Sequence, residues 1–280
     1  MKKTKIEWCD STWNPVTGCL HECEYCYAKK ITHRFGGSIE TAPDRRLHIL
    51  SEPFYADKTG QVSGNRFCAY PYMFDPTFHK YRLDEPIKWR SPQNIFVCSM
   101  ADLFGDWIPD EWIQEVFKAC EAAPQHQYLF LTKNGQRYKQ LGLLPDNNNF
   151  WYGTTRTGIN PRFECGASDH GHTFLSLEPL LAPIDAATLN ALEFWDWVII
   201  GAETGNRRNK VIPQKTWIDD IVNECKKNKT PVFMKDSLSE IVGEHNMLRE
   251  FPTSLIKAGD EKLNTHLKEN NLLPDEYFLL

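Results

Sequence analysis

From about residue 94 onward, short apolar runs alternate with amphipathic stretches in a regular rhythm. The runs cover 94–99, 127–132, 149–154, 172–177, 197–201 and 231–235, and each is rich in β-branched or aromatic residues. Between them, 109–120 sets Trp112, Val116 and Phe117 at helical spacing behind an early proline, and 213–227 sets Trp217, Ile218, Ile221, Val222 and Cys225 on one helical face. Near-continuous apolar strands separated by amphipathic helices predict a parallel sheet covered by helices. Two earlier candidate strands, near 12–18 and 77–83, raise the predicted count to eight. The predicted fold is α/β, a full or partial (β/α) barrel of parallel strands. An open doubly wound sheet is the alternative.

The stretch 36–94 breaks the rhythm with Gly36-Gly37, Gly60, Gly64 and many prolines. It reads as an irregular insertion between the first helix and the third strand. A C-terminal extension over about 237–280 completes what is expected to be one domain spanning 1–280. The residues that follow the predicted strands are polar: Asp102, Lys133, Arg156, Glu178, Glu203 and Asp236. In a parallel barrel they all fall at the carboxyl end, where active sites are built, although loops are polar in any case.

Composition narrows the class. Of 280 residues, 41% are hydrophobic and 25% charged, and Trp, Phe and Tyr number 9, 16 and 10, enough to fill a sizeable core. Disorder is not expected. The formal net charge of −5 excludes a global electrostatic footprint for nucleic acid and leaves room for a local basic groove. The basic start leads into no apolar h-region. The run 197–200 is typical of the longest apolar stretches, far short of a membrane span. A cytoplasmic protein without a membrane partner is expected.

Nine cysteines change the picture more. Cys9, Cys68, Cys98, Cys120, Cys165 and Cys225 are scattered, while Cys19, Cys23 and Cys26 crowd into one segment. An odd number in this arrangement is no disulfide framework, and a reducing compartment fits it better. The spacing C-x3-C-x2-C lies between a candidate strand and a candidate helix. Three thiolates on such a loop can ligate three irons of a cubane cluster and leave the fourth iron open. Zinc is the alternative, with His21, His33 or Cys9 completing a tetrahedron, although no second cysteine pair exists. No second cluster motif is present either.

With Tyr25 directly before the last cysteine, this segment resembles the radical S-adenosylmethionine superfamily. The resemblance implies a [4Fe–4S] cluster on Cys19, Cys23 and Cys26 whose open iron chelates S-adenosylmethionine. It implies reductive cleavage to a 5′-deoxyadenosyl radical, hydrogen abstraction from a substrate, a place for Tyr25 near the adenine, and a full or partial barrel. It also implies a cellular one-electron donor such as flavodoxin or ferredoxin. Further segments, among them Ser11-Thr12-Trp13-Asn14-Pro15-Val16-Thr17-Gly18-Cys19, Ser99-Met100-Ala101-Asp102-Leu103-Phe104, Leu175-Ser176-Leu177-Glu178-Pro179-Leu180 and Gly201-Ala202-Glu203-Thr204-Gly205, look like motifs of a phage-associated three-cysteine family of unknown function. That likeness implies no substrate.

The superfamily's Gly-Gly-Glu turn after the second strand, which binds the cofactor's amino group, is not evident in its usual place. Asp84-Glu85-Pro86 is the nearest match there, and Gly201-Ala202-Glu203 is a similar turn after a late strand. Asp102, Lys133, Glu178, Gly201, Glu203 and Lys235 are candidates for gripping cofactor or substrate, or else form salt bridges around a rim. Cys98 is expected to point into the barrel, either donating a hydrogen atom to a product radical or filling space as a small buried residue. The mixed rings and cations of 66–82 and the loop 205–210 are candidate contacts for a nucleic acid or nucleotide substrate. A peptide or small metabolite, or a non-catalytic nucleic-acid-binding protein stabilised by zinc or a cluster, are the other readings.

Overall fold

The computed structural model describes residues 4–36, 47–56, 65–142, 144–159 and 171–256. Cys165, parts of the insertion and the end of the C-terminal extension lie outside the described residues. The elements in chain order are β1 (Ser11–Trp13), β2 (Val16–Thr17), α1 (Tyr27–Phe35), β3 (His48–Leu50), β4 (Tyr55–Ala56), β5 (Arg66–Phe67), β6 (Thr77–His79) and β7 (Asn94–Val97). Then come α2 (Asp110–Glu121), β8 (Gln127–Thr132), α3 (Gln136–Gln140), β9 (Phe150–Thr155), β10 (His172–Leu177), α4 (Ala186–Asn190), β11 (Trp197–Ile200), α5 (Lys215–Asn228), β12 (Val232–Met234) and α6 (Ser239–Val242).

Seven strands form the main sheet in the order β1-β7-β8-β9-β10-β11-β12, every neighbouring pair parallel. The expected eighth barrel strand is a correction. Residues Thr77–His79 pair antiparallel with β2 and parallel with β3 in a separate small sheet. The reason lies at Pro15. Its missing N–H ends the ladder that β1 makes with β7, and the chain crosses to the small sheet as β2. There Pro15 still accepts from the His79 amide at 2.7 Å.

Both faces of the main sheet are buried, which is why its strands read as continuous apolar runs. The outward residues Ile95, Val97, Tyr128, Phe130, Phe150 and Tyr152 pack beneath Trp112, Ile113, Val116 and Phe117 of α2. Further along the sheet, Val198, Ile200, Val232 and Met234 meet Ile218, Ile221 and Val222 of α5. The inward set is Phe96, Leu129, Trp151, Phe174, Trp197, Ile199 and Phe233, joined by Trp8 from the N-terminal segment and Leu255 from the other end of the chain.

Trp8 measures the curl of the sheet. Its ring lies 4.7 Å from Phe96 on β7, 6.0 Å from Phe174 on β10 and 6.4 Å from Trp197 on β11. In a flat sheet, β7 and β11 would stand roughly 19 Å apart, four strand spacings. One indole spans that separation, so the sheet is rolled into a partial barrel around it. Among the described residues β12 and β1 do not pair; the N-terminal segment bridges that gap instead. Glu7 accepts from the Asp236 amide at 2.6 Å and from Arg249 at 2.9 Å, just beyond β12.

Trp8→Ala removes the one ring shared by strands on both sides of the roll. It should cost about 3–5 kcal/mol of unfolding free energy, as for other buried large-to-small changes. Urea unfolding reads this as a lower midpoint; an unchanged midpoint would refute the role assigned to Trp8.

Candidate active site

The roll brings the carboxyl ends of the main strands to one cavity of about 210 Å³. Its floor is apolar, from Ile6, Trp8, Phe96 and Leu131. Around it stand Asp102 after β7, Lys133 after β8, Thr155 at the end of β9, Ser176 from β10 and Glu178 just after it, Glu203 after β11 and Lys235 after β12. Cys19, Cys23, Tyr25, Cys26 and Tyr27 form the remaining wall. Arg156 and Asp236, also placed here by the sequence pattern, do not line it.

The cysteine loop is built by its turns. Gly18 has φ +87°, and a Cβ there would run into the backbone of Phe74 and Asp75, so only glycine fits. The amides of Gly18 and Cys19 donate to the carbonyls of Met100 and Phe74 at 2.9 and 3.1 Å. Cys26 caps α1, its thiol accepting from the Lys29 amide at 3.4 Å. Four side-chain contacts then pin the loop to the strand ends. His21 Nε2 meets Asp102 at 2.7 Å, Lys133 lies 5.4 Å over the Tyr25 ring, the Tyr27 hydroxyl donates to the Ser99 carbonyl at 2.6 Å, and Arg207 donates to Glu24 at 3.0 Å.

Asp102 is the hub. It is 5% exposed and accepts from Thr132 Oγ1 at 2.7 Å, the Lys133 amide at 2.9 Å and the Phe104 amide at 3.1 Å, besides meeting His21. Burial pushes its carboxyl up, but the His21 hydrogen bond and charge, the Lys133 amide and the Thr132 hydroxyl outweigh that and hold it below the ordinary carboxylate range. Glu203 is satisfied differently. Both of its oxygens are gripped by Arg207, each at 2.7 Å, and that fork lowers its pKa.

Lys235 donates to Glu178 across the cavity wall. Gly201 lies beneath this pair: a Cβ there would stand 3.1 Å from both the Glu178 and Lys235 side chains. Gly201 does not itself line the cavity, so its place is under the ion pair.

Two expectations are corrected. Cys98 does not point into the barrel. Strand β7 ends at Val97, Cys98 takes φ +59°, and its side chain joins Trp13, Val16 and Ile95 in the outer core. The inward alternation that would have aimed it at the cavity is broken by that left-handed residue. Burial pushes its thiol up to about 12, as expected of an inert thiol. Of the three cations in the loop 205–210, Arg207 is turned to Glu203 and Glu24 and is not offered to a phosphate, while Arg208 and Lys210 stay exposed. The Asp84-Glu85-Pro86 turn is likewise not among the cavity residues. Ser99 lies in a motif and Arg207 in a loop that the sequence singles out, but neither they nor Thr132 is marked there as the partner of another site residue.

The chemistry of the donor set fits an iron–sulfur cluster. Among the described residues, no group of three or more His, Cys, Asp or Glu side chains is arranged to hold a metal ion. A cubane distributes its thiolates over separate irons, so three thiols around one cavity suit it. His21, one candidate fourth zinc ligand beside His33 and Cys9, is held by Asp102 through Nε2. Burial pushes the Cys19 thiol up to about 12, so a metal bound there must displace its proton.

A family model described as a protein of unknown function, DUF5131, matches residues 3–246. The chain belongs to this family. No curated protein matches this DUF5131 chain in sequence. Two solved structures are similar to it, both of spore photoproduct lyase. The first, a mutant with bound AdoMet and dinucleoside spore photoproduct, has a TM-score of 0.43 and 9% identity over 96% of this chain and 76% of that one. The second, complexed with dinucleoside spore photoproduct, has a TM-score of 0.39 and 9% identity over 91% and 72%. Among the described residues of the DUF5131 chain, no helix is long and apolar enough to cross a membrane.

Asp102→Asn should lower stability by ~3 kcal/mol at neutral pH, because it replaces a charged oxygen on which several donors converge with an amide nitrogen that faces them. A carboxyl whose folded pKa lies below its unfolded one stabilises fully above the unfolded value, near 3.8, and loses that contribution as pH falls through the folded value. The gap between variant and wild type should therefore close on acidification below that range. Urea midpoints compared at neutral and acid pH check it, and a gap that widens on acidification would refute the assignment.

Proposed function

We propose that this protein is a radical S-adenosylmethionine enzyme. The observation that supports the reading most directly is that Cys19, Cys23 and Cys26, spaced C-x3-C-x2-C, line one cavity at the carboxyl end of a parallel partial barrel. When bound on these thiolates, a [4Fe–4S] cluster would supply one electron to S-adenosylmethionine at its open iron, releasing a 5′-deoxyadenosyl radical for hydrogen abstraction.

The protein's own residues then have separable tasks. Gly18, Cys26 at the start of α1 and the Asp102–His21 pair hold the cysteine loop in position. Tyr25, set beside Lys133, offers a ring for the adenine. Glu178 and Lys235 present a carboxylate and an ammonium on the wall away from the outer core, suited to polar groups of cofactor or substrate. Trp8, Phe96 and Leu131 exclude water from the floor, which protects a reactive species from side reactions. Glu203 is committed to Arg207 and acts by fixing the loop after β11. We assign a nucleotide as the substrate class. Lys133 and Lys235 suit phosphate oxygens, and Tyr27 suits base stacking. The eight described cysteines are all free thiols, in keeping with a cytoplasmic protein that takes electrons from a flavodoxin or ferredoxin.

Anaerobically reconstituted protein should be brown, with broad absorption near ~400 nm, and should release 5′-deoxyadenosine from S-adenosylmethionine when reduced. Cys23→Ala should lose both the colour and the product. Lys235→Ala should keep the colour and lower product yield. Colourless wild-type protein that holds zinc and no sulfide would overturn the proposal.

A further inference from the structure

The cysteine loop has a second side. Cys19, Cys23 and Cys26 also line a second cavity of about 120 Å³, together with Leu20, His21, Glu22, Lys29, Phe74 and Asp75. The loop therefore stands as a partition between two spaces. One holds the ring, carboxylate and ammonium groups described above. The other opens beside helix α1, whose cap is Cys26 itself.

That helix is charged in one sense. Its sequence from Tyr27 to Phe35 contains Lys29, Lys30, His33 and Arg34 and no acidic residue. All four are exposed. Among the described residues, no ion pair neutralises Lys29, Lys30 or Arg34; the Arg34 guanidinium lies over the adjacent Phe35 ring at 5.3 Å. Long cationic side chains left unpaired beside one another repel, and they raise the local potential in a chain whose net charge is −5.

We propose that the exposed face of α1, with the small cavity at its start, is where an acidic one-electron carrier protein docks to deliver an electron to the cysteine-bound centre. This rests on the cluster reading above. The reason for a carrier over a substrate is the partition. A substrate must touch the radical, and a ligand on this side is separated from the reaction cavity by the cysteine loop. An electron needs only closeness, and here the three thiols are reached without entering that cavity. In the transfer the reduced carrier loses one electron and the cluster gains it; no bond forms or breaks and no proton is needed. The like-signed cations on the exposed face of α1 select an acidic partner and speed its encounter, while Glu22 and Asp75 lie at the small cavity itself.

The test titrates a purified acidic flavodoxin into wild-type protein and into the triple variant Lys29→Glu, Lys30→Glu, Arg34→Glu, with binding read by calorimetry and no turnover involved. Wild-type binding should weaken when salt rises from about 50 to about 300 mM. The triple variant should bind at least tenfold more weakly at low salt. Its cluster should still be reduced by dithionite at the wild-type rate, while reduction by flavodoxin slows in proportion. Lys226→Glu with Lys227→Glu and Lys229→Glu, at the far end of α5, changes the net charge by the same amount, should leave binding unchanged and so controls for net charge. Equal flavodoxin binding by wild type and the triple variant would overturn the proposal. So would a single-stranded oligonucleotide that binds this face while flavodoxin does not. Iron and sulfide measured on the same samples test the cluster separately: a protein that holds its cluster yet binds no carrier sinks the docking face alone.

Discussion

The roll of the main sheet around its inner aromatic layer is the constraint on which the rest depends. Seven parallel strands in an open sheet would spread their carboxyl ends over tens of ångströms. The inner layer is short of volume without Trp8, which comes from outside the sheet and touches β7, β10 and β11 together. Phe174 fills the space above Gly153, where a Cβ would run into its ring. Close packing of this kind tolerates little change in curvature, so the cavity that the strand ends share is a consequence of how the rings fit.

Within that frame the polar groups of the site are almost all spoken for. Asp102 has four partners, Glu203 has a guanidinium fork, and Glu178 has Lys235. Buried charges survive only when paired and hydrogen-bonded, and here the pairings also do positional work. Asp102 ties the cysteine loop to β7 and β8, and Arg207 ties it through Glu24 to the loop after β11. A loop carrying three thiols is thereby held from several sides, and of those thiols Cys26 also caps α1. The thiols remain available on both of its faces.

The apolar rhythm after residue 94 and the spacing of three cysteines were legible before any coordinates. Strands β7 to β12 fall within two residues of the runs that announced them, because a strand buried on both faces has no polar positions to blur its ends. The polar residues at the strand ends Asp102, Lys133, Glu178, Glu203 and Lys235 were legible for the same reason: each breaks an apolar run where the chain leaves the sheet. The insertion was the least legible part. Its strands are two or three residues long, too short for any periodicity to show.

What the sequence alone determined is therefore the parallel α/β class, the C-x3-C-x2-C loop and the set of polar residues at strand ends. The tertiary structure decided how these combine. Pro15 diverts the chain, so Thr77–His79 joins a side sheet and the barrel keeps seven strands. The left-handed turn at Cys98 sends its thiol outward, against the alternation. Arg207, which reads as a free cation in a loop, is drawn to a buried carboxylate four residues away and to the cysteine loop 183 residues away. Such outcomes turn on a single backbone dihedral or on contacts between segments remote in the chain, and neither leaves a periodic trace in the order of amino acids.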